Sequence, residues 1–153
     1  MTAQGTIVVG VDGSDGSRAA LEFALDEAAR RGAAVRVVLA MPETEYWATV
    51  NGMSPSVVEE LSHSVEKVGR EMVDDALRER GGAGPDIPVE VLALGGSPGH
   101  VLVKVKQSRD ADLLVVGHRG RGGFRSALLG SVGLQCVLYA SVPVTVVRPE
   151  SSR

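Results

Sequence analysis

Cysteine is almost absent from these 153 residues: Cys136 stands alone. That excludes a disulfide within the chain, disfavours a cysteine-rich metal site, and makes a reducing compartment the expectation. Aromatic residues make up only 3%, so the core has to be aliphatic. The stacking platforms that grip single-stranded nucleic acid are not available in number. Met1-Thr2-Ala3-Gln4-Gly5 carries no Lys or Arg, and the apolar run Thr6–Val11 is too short for the core of a signal peptide. A cytoplasmic location is expected.

Acidic residues are missing locally. Asp and Glu do not occur from Leu113 to Pro149, where Arg119, Arg121, Arg125 and Arg148 all lie. The net charge of −3 makes nucleic acid an unexpected partner. An acidic chain with a cationic C-terminal quarter points instead to one locally bound anion, the plainer alternative being solvated arginines beside an apolar strand. Ser126–Val147 is uncharged and long enough to span a bilayer. It contains Gly130, Ser131, Gly133, Gln135, Ser141 and Pro143, however, and divides into a helix and a β-branched strand, so no membrane partner is expected.

What is present is ordinary globular composition, 44% hydrophobic and 23% charged, of a length that suits one domain over residues 1–149 with a disordered tail at 150–153. Thr6–Val11, Val35–Ala40, Pro88–Leu94, Asp112–Gly117 and Val142–Arg148 are short apolar or β-branched runs that predict strands. Between them, helical spacing runs through Ala20, Leu21, Ala24, Leu25 and Ala28 to Gly32. It recurs from Val57 through Leu77 to Gly81-Gly82, from Pro98 to about Arg109, and from Ser131 to Ala140. Met41–Met53, with Tyr46 and Trp47, lacks periodicity and reads as a long loop. Alternating strands and helices call for an α/β fold: a single doubly wound five-stranded parallel sheet, strand order 3-2-1-4-5, with helices on both faces. Ligands of such sheets sit beyond the carboxyl ends of the strands where the order reverses. Here that is between strands one and four, which end at Asp12 and Gly117.

Several motifs fail on inspection. Gly95-Gly96-Ser97-Pro98-Gly99 fits G-x-S-x-G, but the oxyanion hole of such an elbow uses the N–H of the residue after the serine, and Pro98 has none. Ser97 as a helix cap with Pro98 at the first helical position explains the same letters. His63, His100 and His118 lack metal-ligand spacing, and no metal site is expected. His118 falls in the predicted crevice, where phosphate contact and plain loop exposure are both open. The P-loop pattern needs a lysine that Lys67, Lys104 and Lys106 do not supply, and G-x-G-x-x-G is broken at Arg125.

What remains is Gly117-His118-Arg119-Gly120, then nine residues, then Gly130-Ser131. Glycines at a strand end permit positive φ and close backbone approach. A helix opening at Ser131 offers free N–H groups and a positive dipole end to an anion. The competing reading is a flexible loop with Ser131 as a simple cap.

These residues carry a resemblance. Gly117, Gly120, Gly130 and Ser131 match G-x2-G-x9-G-[ST], and the chain is similar over nearly its whole length to the nucleotide-binding branch of the universal stress proteins. Ile7–Ser14, Ala111–Gly117, Leu129–Val132 and Val142–Val147 all fit. The resemblance implies ATP in the predicted crevice. Val11 and Asp12 would line the adenine and ribose end, with Leu39 or Ala40 and Val116 as apolar neighbours. Gly117 and Gly120 would meet ribose and the first phosphates; Gly130, Ser131 and Val132 would meet the terminal ones. Arg119, Arg121 and Arg125 are added from charge alone. The resemblance also implies a homodimer through Val142–Val147. Mg2+ is expected only as a companion of the phosphates, within reach of Asp12, which is equally placed to bond the nucleoside.

The leading expectation is therefore a regulatory ATP-binding module of a stress response with an unidentified protein partner. Binding is favoured over turnover because the loop supplies neither a P-loop lysine nor a carboxylate. The alternatives are a cyclic AMP or AMP module, a slow ATP-hydrolysing enzyme, and an interaction protein with a vestigial site. Gly117→Ala is expected to abolish nucleotide binding and leave the fold unchanged.

Overall fold

The computed structural model describes residues 4–41, 52, 54–82, 86–108, 111–118 and 129–149. The elements run β1 (Thr6–Gly10), α1 (Asp15–Arg31), β2 (Ala34–Met41), α2 (Pro55–Glu79), β3 (Val89–Gly95), α3 (Pro98–Ser108), β4 (Leu113–Gly117), α4 (Ser131–Tyr139) and β5 (Val144–Val147). Every strand pairing is parallel, and the sheet order is β3-β2-β1-β4-β5. The fold class and strand order are those expected from the sequence.

The strands are buried on both faces because alternate residues face alternate helix layers. Ile7 and Val9 of β1, with Val37 and Leu39 of β2, join Leu21, Ala24 and Leu25 of α1 and Val73 of α2 in one cluster. Val8, Val38, Leu114 and Val116 belong to a second, with Val101, Leu102 and Val105 of α3 and Cys136 of α4. So α1 and α2 cover one face and α3 and α4 the other. At the rim, β5 pairs among the described residues only with β4, and its four residues are all half-buried.

Local chemistry fixes the ends. Ser14 caps α1 by accepting from the Ser17 N–H, and Gly32 closes it in the left-handed region at φ 69°. Gly81 and Gly82 take positive φ just after α2, whose last turn is closed by Arg80. Ser97 accepts the first bond of α3 from the Val101 N–H at 3.0 Å, the capping arrangement expected of Ser97-Pro98. Strand β1 stops at Gly10, one residue short of the expected end, yet the Val11 N–H still donates to the Val38 carbonyl at 3.0 Å. No helix among the described residues is long and apolar enough to cross a membrane. The expected loop after β2, with Tyr46 and Trp47, and the tail 150–153 lie outside the described residues.

Cys136 is fully buried, and burial pushes its thiol from 9.0 up to about 11. In the unfolded chain the thiol would ionise near its ordinary value, so the folded form binds the extra proton. Stability should therefore be unaffected by this group below about pH 9 and fall as pH rises from there toward 11. Urea midpoints measured across that range should show the fall, and Cys136→Ala should lack this increment. A thiol-alkylating reagent should label the native protein only on the timescale of unfolding.

Candidate functional site

The winding direction reverses between β1 and β4, and there the carboxyl edge opens into a concavity of about 580 Å³, open solvent included. Its β1 wall is Gly10, Val11 and Asp12; its β4 wall is Val116 and Gly117. Val38 and Ala40 of β2, Pro98 and Leu102 of α3, Ser17 of α1 and Val132 of α4 complete it. The lining is mostly aliphatic, with Asp12 and Ser17 as its polar side chains.

Gly10 permits this shape. A Cβ there would stand 2.6 Å from Leu102 Cδ1, so the bare backbone lets α3 lean over the end of β1. The turn after β1 is built by Asp12, whose Oδ1 accepts from the Ser14 N–H at 2.9 Å and from the Ser14 hydroxyl at 2.5 Å. Gly13 supplies the positive φ of 84° that this turn requires. Ser14 Oγ accepts from the Ser17 N–H at 3.2 Å, while the Ser17 hydroxyl donates to the Ser14 carbonyl at 3.0 Å. One carboxylate oxygen is thus committed to the loop, and the helix cap and the crevice floor share one small network.

Gly117 has a different duty from the one expected. It does not adopt positive φ. A Cβ would instead lie 2.7 Å from the backbone carbon and oxygen of Gly16, so its bareness lets the first turn of α1 pack on the end of β4. The expectation that Gly117→Ala spares the fold is corrected accordingly.

Across the crevice, Gly130 caps α4 at φ −64° with no side-chain cap bond, and Ser131 is the first helical residue. The simple-cap reading of Ser131 therefore falls away. The Gly130 N–H donates to the His118 carbonyl at 2.9 Å, and the His118 N–H donates to the Val147 carbonyl at 2.8 Å. The glycine segment is closed at its root by these two bonds. Arg119, Gly120, Arg121 and Arg125 lie outside the described residues.

Of the residues named from the sequence, the crevice brings together Val11, Asp12, Ala40, Val116, Gly117 and Val132, while Gly130 and Ser131 directly precede Val132 at the start of α4 and are not part of the lining. Leu39 is the exception: it packs into the α1/α2 cluster on the other face, against Gly69. Strand periodicity puts the side chains of Val38 and Ala40 on the crevice side and that of Leu39 on the opposite face. Gly10, Ser17, Val38, Pro98 and Leu102 were not foreseen. Pro98 carried a signal, since the first residue of a helix that follows a parallel strand must stand at the carboxyl edge. Among the described residues, no group of three or more His, Cys, Asp or Glu could hold a metal ion.

The model of the universal stress protein family matches residues 5–148. A universal stress protein of Mycobacterium tuberculosis is 37% identical over 145 residues, covering 93% of this chain and 45% of its own length. The chain spans about half the length of the curated relatives it matches. A solved universal stress protein in complex with cAMP is 26% identical, with a TM-score of 0.65 and coverage of 97% of this chain and 100% of its own. A universal stress protein from Archaeoglobus fulgidus in complex with dAMP shares the fold at 24% identity, TM-score 0.63, covering 95% of this chain and 98% of its own.

Gly117→Ala should destabilise the protein by roughly 1–3 kcal/mol through overpacking against the Gly16 backbone. Urea denaturation of the unliganded variant measures this, and an unchanged midpoint would show that α1 does not rest on β4 at this point.

Proposed function

Since the chain belongs to the universal stress protein family, we propose that the crevice between β1 and β4 binds an adenine nucleotide, and that this nucleotide is ATP. The observation that carries the reading is the start of α4. A nine-residue helix begins at the rim of an aliphatic crevice, capped by a glycine that offers it no side chain. Its first-turn N–H groups and positive dipole end are suited to phosphate. The aliphatic walls suit a flat base, and Asp12 places a carboxylate on the wall beside it. The relative solved with cAMP supports a nucleotide as the class of ligand.

ATP is preferred over a monophosphate on charge and spacing. The glycine pair Gly117 and Gly120 is followed, after nine residues, by Gly130-Ser131, with Arg119, Arg121 and Arg125 between Gly117 and Gly130. That is more N–H and positive charge than a single phosphate needs. Cyclic AMP or AMP is the second reading. A divalent ion such as Mg2+ would arrive with the phosphates, with Asp12 as the nearest carboxylate on the wall. No acidic residue between Leu113 and Pro149 is available to orient an attacking water, so the reading is binding with at most slow hydrolysis. The protein would act as a regulatory module of a stress response, its nucleotide state biasing a partner.

A homodimer through β5 belongs to the same reading. The strand is the rim of the sheet and rich in valine, and among the described residues its outer edge has no strand beside it. Beside it α4 exposes Leu134, Val137, Leu138 and Tyr139 at 49–66%. Such an edge is a template for a second strand.

Freshly purified protein, denatured and examined by mass spectrometry, should release adenine nucleotide, and calorimetry on the emptied protein should rank ATP above cyclic AMP and AMP. Ala40→Phe should fill the crevice and weaken ATP binding at least about tenfold, which is on the order of 1.4 kcal/mol. Tighter binding of cyclic AMP would promote the second reading. Binding of no nucleotide would overturn the site.

A further inference from the structure

One peptide unit joins the two features just described. The His118 N–H donates to the Val147 carbonyl at the end of β5, and the His118 carbonyl accepts from the Gly130 N–H at the cap of α4. His118 follows directly on Gly117, which lines the crevice and sits in register with Val147. The residue therefore touches the last position of the rim strand, the cap of α4 and the end of β4 at once.

The rim strand is the element with the least support. It has four residues, none fully buried, and among the described residues it pairs with β4 alone. A ligand lodged between Gly117 and Val132 has contacts before and after His118 in the chain. It limits the excursions of that residue, and through the Val147 carbonyl it holds the end of β5 in register. A second copy pairing along β5 then meets an edge that is already ordered, and the backbone entropy of ordering it is not lost again. Helix α4 makes a second connection. Ser131, Leu134 and Leu138 stand at i, i+3 and i+7, one exposed row that starts at the phosphate end and continues into the apolar surface beside β5.

We infer that nucleotide occupancy of the crevice and self-association through β5 and α4 strengthen each other, with His118 as the positioning residue. The inference rests on the nucleotide and dimer readings above. Linkage requires the effect to be reciprocal: whatever factor ATP contributes to dimer affinity, dimerisation contributes to ATP affinity. Couplings of this kind are commonly 5- to 150-fold, and about tenfold is expected here.

The test uses the full chain. Sedimentation velocity over a range of protein concentrations gives the dimer dissociation constant with and without ATP, and calorimetry at low and high protein concentration gives the ATP constant of monomer and dimer. The expected result is a dimer tightened about tenfold by ATP and an ATP affinity raised by the same factor at high protein concentration. His118→Pro, which removes the N–H bonded to Val147 and keeps the carbonyl, should bring that factor toward one. If the proline variant does not fold, the reciprocity measured on the unaltered chain decides alone. Binding and dimerisation that both occur without influencing each other overturn the inference and leave the earlier reading intact. Failure of either process is seen in its own assay and removes the reading together with the inference.

Discussion

A right-handed crossover carries each helix to the face set by the direction of the next strand, and in this chain that direction changes once. The path from β1 to β2 to β3 moves one way and leaves α1 and α2 on one face. The path then jumps to β4 and β5 on the far side of β1 and leaves α3 and α4 on the other face. Between β1 and β4 no crossover helix can lie over the strand ends, so a crevice must open there. Everything assembled at the carboxyl edge depends on that one change of direction. The depth of the crevice is then set by bare backbone, with Gly10 admitting Leu102 and Gly117 admitting the start of α1.

The two glycines also show how a site can be stiff without a dense polar network. Asp12 and Ser14 tie the turn after β1 into the cap of α1, and the first turn of α1 rests on the end of β4 at Gly117. Motion of one wall is thus resisted by the other. The side chains around them are branched aliphatics with few rotamers, so the walls present a fixed shape to a flat ring system.

Much of the fold was legible in the sequence because its signals are local and repeated. Unbroken runs such as Ile7-Val8-Val9 and Leu113-Leu114-Val115-Val116 can only be strands covered on both faces, and the alternation with helical spacing then leaves little choice of topology. The site was legible in outline for the same reason, since strand ends and helix starts share one edge. What the sequence concealed is which way individual side chains point near that edge. Leu39 and Ala40 are neighbours in the chain, yet a one-residue step sends them to opposite faces, and only the register of β2 decides which faces the crevice. The reason for Gly117 was likewise out of reach, because its tight neighbour, Gly16, is 101 positions away. Pro98 and Leu102 enter the crevice by the packing of α3 over Gly10, a tertiary fact that no spacing encodes.

The buried Cys136 has a meaning for a protein of this family. A thiol acts as an oxidant sensor through its thiolate, and reaction with peroxide follows the fraction ionised and the access to it. With its thiol held up to about 11 by burial and no exposed surface, Cys136 stays in the unreactive protonated form at neutral pH. While the chain stays folded this thiol is shielded from oxidants, so oxidation of Cys136 would report that the α3/α4 face has opened rather than the redox state around the protein.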